Sequence, residues 1–354
     1  MRMSLGLGLS RRAASSGGGG NVAPVITGVP TISGTTGLGD VLTASPASVS
    51  GTPTPTRTWQ WARNGLDISG ETAITHTIVS ADQGTNLTVR QIETNVAGSA
   101  NATSLATSIP AAFTPADIFQ ASENGFWGEV TASELWQDTA RTTPVTTDGQ
   151  TVASWRLNTA AGVVYAEQAT AGSRPTYRVS GGIEWLDFDG GDSLVTASTL
   201  ANVANYQCFV AVRPSTVAAG TRQIVSQDLV SASRRRAQYL RIDAATPQTI
   251  CFVGGTATSD SGATLTANVD TVLSGIAISG TSLDMRVAGS SNGTTAQSGT
   301  INTFTDAVTI GRNANSATEF FSGRLYGVIL RSGPNLTAGE ITNAEGWLTA
   351  LQNP

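Results

Sequence analysis

The sequence predicts an all-β chain of two sandwiches in tandem closed by one helix, and three observations carry that expectation. Charged residues make up 13% of the chain and aromatics 6%, while Thr, Ser, Ala and Gly crowd it. That composition suits short strands joined by small-residue turns and not a helical bundle, which needs more Leu, Glu and Lys. Turn signals recur about every eight to twelve residues between short alternating segments. At 354 residues, the chain is long enough for two domains, each burying its own core.

Taken in order, residues 1–20 come first as a leader. The apolar peptide Ser4-Leu5-Gly6-Leu7-Gly8-Leu9 is followed by Arg11-Arg12 and the glycine tract 17–20. Its apolar run is too short for a secretory segment, and the arginine pair lies on the wrong side of it, so no export signal is expected. The leader cannot fold alone and reads as a segment that orders on insertion into a larger assembly, with Leu5, Leu7, Leu9, Arg11 and Arg12 as anchoring residues. A disordered tail is the alternative.

Residues 21–110 carry the first sandwich. Val41-Leu42-Thr43-Ala44 reads as a strand, and Arg57 to Arg63 as another that places Trp59 and Trp61 on one face. Between them Pro53-Thr54-Pro55 cannot sit in a central strand. Asn64-Gly65 then forms a hairpin-type turn. With Gly39-Asp40, Asp82-Gln83-Gly84, Leu87-Thr88-Val89 and Asn95-Val96-Ala97-Gly98-Ser99 in this order, the region resembles the bacterial and phage immunoglobulin-like module. The resemblance implies a spacer or adhesive sandwich without an inter-sheet disulfide.

Residues 111–354 form the second domain. Thr114-Pro115 is a helix start, a capping residue followed by proline at the first helical position. Strands are expected at 163–165, 175–179, 183–188, 206–213, 238–242, 249–253, 272–278, 283–287, 307–310 and 323–330, with no alternating helices, which favours an antiparallel sandwich. Thr337-Ala338-Gly339-Glu340 is a capping box ahead of Ile341, Ala344, Trp347 or Leu348, and Leu351 at helical spacing. The run Ile183 to Leu194, with Phe188-Asp189-Gly190, and the closing run Phe321 to Leu330 with Leu336-Thr337 resemble the concanavalin A-like lectin/glucanase superfamily in its laminin-G-like branch. Pro115-Ala116-Asp117-Ile118-Phe119, Gly125-Phe126-Trp127 and Leu135-Trp136-Gln137-Asp138 resemble versions common in bacteriophage and prophage structural proteins. The fold expected is therefore an immunoglobulin-like β-sandwich followed by a concanavalin A-like jelly-roll β-sandwich with a C-terminal helix.

Residues able to do chemistry are sparse. Glycosidases of the superfamily place paired carboxylates on one strand face, whereas alternation puts Glu184 and Asp187 on opposite faces. Asp187 and Asp189 share a face, at a turn. Asp189 and Asp192 are candidate calcium ligands, although Asp-Gly-Gly-Asp is equally a turn satisfied by its own backbone. His76 is the one histidine, which excludes multi-histidine metal sites, and it reads as a strand histidine. Cys208 and Cys251 sit in apolar strands, as buried thiols or as a disulfide between neighbouring strands. Trp127, Trp136, Trp155 and Trp185 are candidates for stacking on sugar rings, with the core as their default home. Arg235, in the run Arg234-Arg235-Arg236, is a candidate contact to an acidic polysaccharide.

The net charge of −5 and pI near 5.0 argue against nucleic acid as a partner. All 20 cationic residues are arginine. No stretch reaches the ~20 apolar residues of a membrane helix. The expectation is a non-enzymatic fibre or spike of a phage or phage-like virion, assembled in the host cytoplasm. It would be anchored to other virion proteins by its N-terminus, bind host surface glycan through the lectin-like domain, be homo-oligomeric, and need no cofactor, calcium at Asp189 or Asp192 being the alternative. A bacterial adhesin or carbohydrate-binding module, and a glycoside hydrolase, are the alternatives.

Overall fold

The computed structural model describes residues 20–120, 123–199, 205–217, 222–227, 238–243, 248–252, 258–260, 265–278, 281–296, 307–313 and 318–353, with backbone alone for 197–199 and for the strands between 238 and 260. The leader residues Leu5, Leu7, Leu9, Arg11 and Arg12, and also Arg235, lie outside this set. The chain divides into two compact units, Met1–Ala112 and Phe113–Pro354. Among the described residues it is built of β-strands with a single α-helix, at the C-terminal end. No described helix is long and apolar enough to cross a membrane.

The first unit is an immunoglobulin-like sandwich. Its strands are β1 (Val22–Thr27), β2 (Thr31–Ser33), β3 (Val41–Ser45), β4 (Ser48–Thr52), β5 (Thr56–Arg63), β6 (Leu66–Asp67), β7 (Thr75–Thr77), β8 (Asn86–Asn95), β9 (Gly98–Thr103) and β10 (Thr107–Ser108). The sheet β10-β8-β5-β6 opposes β2-β3-β7, with β1 paired to β4. Alternation along β5 buries Trp59 and Trp61 together, against Leu42, Ala44, Ile78, Leu87 and Val89. Asn64 and Gly65 both take positive φ, 47° and 82°, as a two-residue hairpin turn requires. Beneath this core His76 is buried against the Trp61 ring, centroids 5.3 Å apart. Its two nitrogens lie 3.0 Å from Glu71 Oε2 and Asp82 Oδ2. The strand placement was legible in the sequence, whereas the ion network was not.

The second unit contains β11 (Asn124–Glu129), β12 (Leu135–Trp136), β13 (Ser154–Thr159), β14 (Gly162–Glu167), β15 (Thr176–Ser180), β16 (Ile183–Asp189), β17 (Leu194–Thr199), β18 (Tyr206–Pro214), β19 (Arg222–Gln227), β20 (Gln238–Asp243), β21 (Gln248–Phe252), β22 (Thr258–Asp260), β23 (Thr271–Ile278), β24 (Ser282–Val287), β25 (Ser290–Ala296), β26 (Ala307–Ile310) and β27 (Ser322–Ser332), then α1 (Ala338–Ala350). One antiparallel sheet runs β15-β16-β27-β18-β23-β24-β25. The other runs β12-β13-β14-β17-β26-β19-β20-β21-β22. Strand β11 pairs with both β27 and β13 and joins them, giving a jelly-roll sandwich.

Between the sheets lies the main core, which includes Phe126, Trp155, Leu157, Leu186, Phe188, Val210 and Val328. On the outer face of the first sheet a second cluster forms where Ala344 and Leu348 of α1 pack on Phe209, Ala211, Val272, Ile276 and Ile329. A Cβ on Gly327 would stand 2.5 Å from Leu351 Cδ1 and 3.2 Å from Leu348 Cδ2, so glycine here lets the helix lie close to the sheet. The helix begins as the capping box predicts, Glu340 N–H donating to Thr337 Oγ1 at 3.2 Å and Thr337 N–H to Glu340 Oε2 at 2.7 Å. The helix start at Thr114 yields a single 3-10 turn, Pro115–Ile118, because Phe119 returns to extended backbone. Cys208 carries a buried thiol opposite Gly275 and Leu330. Cys251 stands opposite Leu240 and Ser259, so the two cysteines are not on neighbouring strands.

Candidate functional site

The structure sorts the four candidate tryptophans. Trp155 is fully buried in the inter-sheet core, its ring seated against Gly128, where a Cβ would meet it at 3.2 Å, and its Nε1 donates to Glu129 O at 3.2 Å. It offers no face to a ligand. Trp127 packs on the helix-side cluster with its ring 4.7 Å from that of Phe119. Trp185 is 7% exposed, covered by the Arg324 guanidinium 4.1 Å from its centroid and flanked by Tyr326.

Trp136 differs. On β12 Leu135 fills the core, so Trp136, the next residue, turns to the outer face of its sheet. The same alternation sends Trp155 and Leu157 of β13 and Val164 and Ala166 of β14 inward, leaving Ser154, Arg156, Tyr165 and Glu167 outward. The register places Trp136 opposite Ser154, Ser154 opposite Glu167, and Arg156 opposite Tyr165. Trp136 and Tyr165, both half-buried, meet with centroids 6.0 Å apart and planes at 70°. Neither belongs to a core cluster.

Charged groups frame this aromatic pair. Arg141 lays its guanidinium over the Tyr165 ring, 4.1 Å from the centroid, and pairs with Glu167. Arg156 pairs with Glu134 at 2.8 Å. Arg141 is delivered by a loop whose geometry Asp138 fixes: the N–H groups of Thr142 and Thr143 donate to its carboxylate at 3.1 and 2.7 Å. Those amide bonds hold the Asp138 carboxyl down to about 2. Arg141 itself adopts φ 61°. Arg174 braces the loop from below, donating to the carbonyls of Gln137, Gln168 and Ala169. A rigid aromatic surface with donors and acceptors at its rim can stack on the apolar face of a sugar ring while bonding its hydroxyls. Trp136 was among the residues singled out from the sequence. Its partners Tyr165, Arg141, Arg156, Glu134 and Glu167 were not, because only strand register brings them together.

The carboxylate candidates fall elsewhere. Alternation on β16 holds, with Leu186 and Phe188 in the inter-sheet core and Trp185 in the helix-side cluster. Glu184 accepts from Tyr177 OH at 2.8 Å and Ala132 N–H at 2.7 Å. Asp187 lies across the ladder from Arg324, and burial raises its carboxyl against the pull of Arg178 and Arg324. Asp192 is buried and accepts Asp189 N–H at 2.9 Å, while Asp189 accepts Gly191 N–H at 2.7 Å. Their oxygens serve the turn. Among the described residues no group of three or more His, Cys, Asp or Glu is placed to hold a metal, and calcium takes six to eight oxygens, so Asp189 and Asp192 do not by themselves fit a calcium site.

No protein-family model and no curated protein matches the chain. Among solved structures it is similar to domain 4 of a GH43 extracellular arabinanase from Geobacillus stearothermophilus, in complex with arabinotriose, at 13% identity over 63% of this chain and 100% of that one, with TM-score 0.43. It is similar to the sialidase CBM40 of Ruminococcus gnavus bound to alpha2,3 sialyllactose, at 12% identity over 46% of this chain and 96% of that one, with TM-score 0.36. A third likeness is to Trypanosoma rangeli sialidase, at 11% identity over 89% of this chain and 49% of that one, with TM-score 0.43.

Proposed function

We propose that the chain is a non-enzymatic glycan-binding protein whose site is the outer face formed by Trp136, Tyr165, Arg141, Arg156, Glu134 and Glu167. The observation that carries this reading is the aromatic pair left outside every core cluster and rimmed by ion-paired donors and acceptors. The non-catalytic part is supported by Glu184, whose carboxylate is engaged by Tyr177 and a backbone amide away from Asp187. In the finer reading the protein is a phage or phage-like fibre or spike. Residues 1–20 anchor it to other virion proteins, the immunoglobulin-like unit spaces, copies of the chain associate, and the jelly-roll meets a host surface glycan. That reading rests on the sequence resemblance of residues 115–138 and the apolar-basic-glycine leader.

The test is a glycan array probed with the full chain. Trp136→Ala is expected to weaken binding at least about tenfold, equivalent to about 1.4 kcal/mol, while Asp187→Asn binds as the parent does and neither protein releases reducing sugar. Undiminished binding by Trp136→Ala would remove the proposed site, and sugar release lost in Asp187→Asn would make the protein a hydrolase.

A further inference from the structure

We infer that the platform takes sugars bearing a carboxylate, received by the Nε–Nη2 edge of Arg156. The inference rests on the glycan-binding reading above and names the ligand class of the same site. Arg156 lies on the outer face of β13, between the core residues Trp155 and Leu157. It stands directly across the ladder from Tyr165, and the next side chain along its face, Ser154, stands opposite Trp136. Arg156 therefore borders the aromatic pair. Among the described residues its one bonded nitrogen is Nη1, which donates to Glu134 Oε2 at 2.8 Å. That contact holds the guanidinium and leaves Nε and Nη2, two parallel donors on the opposite edge, open on a side chain 35% exposed. The other two arginines are more fully used. Arg141 spends Nη1 on both Glu167 and Thr139 O and is held over the Tyr165 ring, while Arg174 gives Nε, Nη1 and Nη2 to three carbonyls.

A carboxylate matches that edge better than a pair of hydroxyls does. Both its oxygens accept, at the spacing of two parallel N–H groups, and charge-assisted bonds of this kind are roughly twice as strong as neutral ones. The opposing effect is like charge. Glu134 and Glu167 rim the site, and Glu129, its carboxyl raised by burial and by the charges of Glu134 and Glu184, lies near Glu134. At a surface open to water, repulsion between charges that do not touch is weak, whereas the bidentate pair acts at contact. The contact wins, with the C–H face of the sugar ring against Trp136 and Tyr165.

The experiment titrates the full chain with oligoglucuronate, oligogalacturonate and oligomannuronate and with the matching oligosaccharides of glucose, galactose and mannose. At least one uronate should bind at least about tenfold more tightly than its neutral counterpart. Changing Arg156→Gln together with Glu134→Gln removes the ion pair without stranding a carboxylate, and should bring that ratio down to about one. Glu134→Gln alone, which keeps the guanidinium and lifts the like charge beside it, should raise the ratio several-fold. Neutral sugars bound as tightly as their uronates or tighter throughout, with binding lost in Trp136→Ala, would overturn this inference and leave the glycan reading standing. So would a uronate preference that the double change leaves intact. Binding of either series that Trp136→Ala does not diminish, or no binding of any member, would overturn both.

Discussion

At the scale of single residues, buried ions stabilise the jelly-roll and report on its state. Arg331, its side chain 3% exposed, holds Glu123 through two contacts of 2.8 and 2.7 Å and also donates to Ile118 O, Gln207 Oε1 and Pro334 O. Removing it leaves Glu123 buried without its partner, so Arg331→Ala should lose about 3–5 kcal/mol in urea unfolding. Asp192 has the opposite character. Burial, opposed by the Asp189 amide and reinforced by the charges of Asp189 and Asp187, pushes its carboxyl up to about 6. Its folded state therefore binds a proton that the unfolded chain, titrating near 4, releases first, and stability from this group grows as pH falls from about 7 to about 4. The jelly-roll should melt a few degrees higher at pH 5 than at pH 7.5, and Asp192→Asn should flatten that difference; a parent that melts lower at pH 5 contradicts it. The sequence placed Asp192 in a turn but could not show its burial, which follows from the packing of that corner.

At the scale of elements, α1 and the strand alternation were the most legible features, because each follows from local periodicity. The capping box and the stripe Ile341, Ala344, Trp347 or Leu348, and Leu351 predicted the helix, and Ala344 and Leu348 prove to be its buried anchors, with Trp347 partly buried beside them. Leu348→Ala should cost about 2–5 kcal/mol through the cavity it leaves, whereas Thr337→Ala should cost about 1 kcal/mol by uncapping the first turn. Comparable losses from both would mean that the helix is held by its cap and not by its apolar face. Strands rich in small or polar residues were hard to read: Arg222–Gln227 and Ser290–Ala296 carry too little apolar alternation to stand out, and Ser154–Thr159 alternates over only two apolar residues, Trp155 and Leu157. Their pairing supplies what their sequence does not. Ser154 is fully buried because its neighbours in the register are Trp136 and Glu167.

At the scale of the whole molecule, the two-sandwich plan was readable because turn spacing and composition are properties of long stretches. The site was readable only at Trp136, since the residues around it come from segments up to about thirty positions apart that only the sheet assembles. Sequence reasoning gave four tryptophans equal standing, and burial separates them: Trp155 is in the core, Trp127 and Trp185 pack against the helix-side cluster, and Trp136 is left outward. The proposed glycan site is the outer face of β12, β13 and β14. The most direct measurement is a crystal structure of the full chain with the tightest oligosaccharide from the array. A sugar ring is expected against Trp136 and Tyr165, with hydroxyls bonded to Arg141 and Glu167. A ring bound instead beside Trp185 and Arg324 on the opposite sheet, with Trp136 bare, would contradict it.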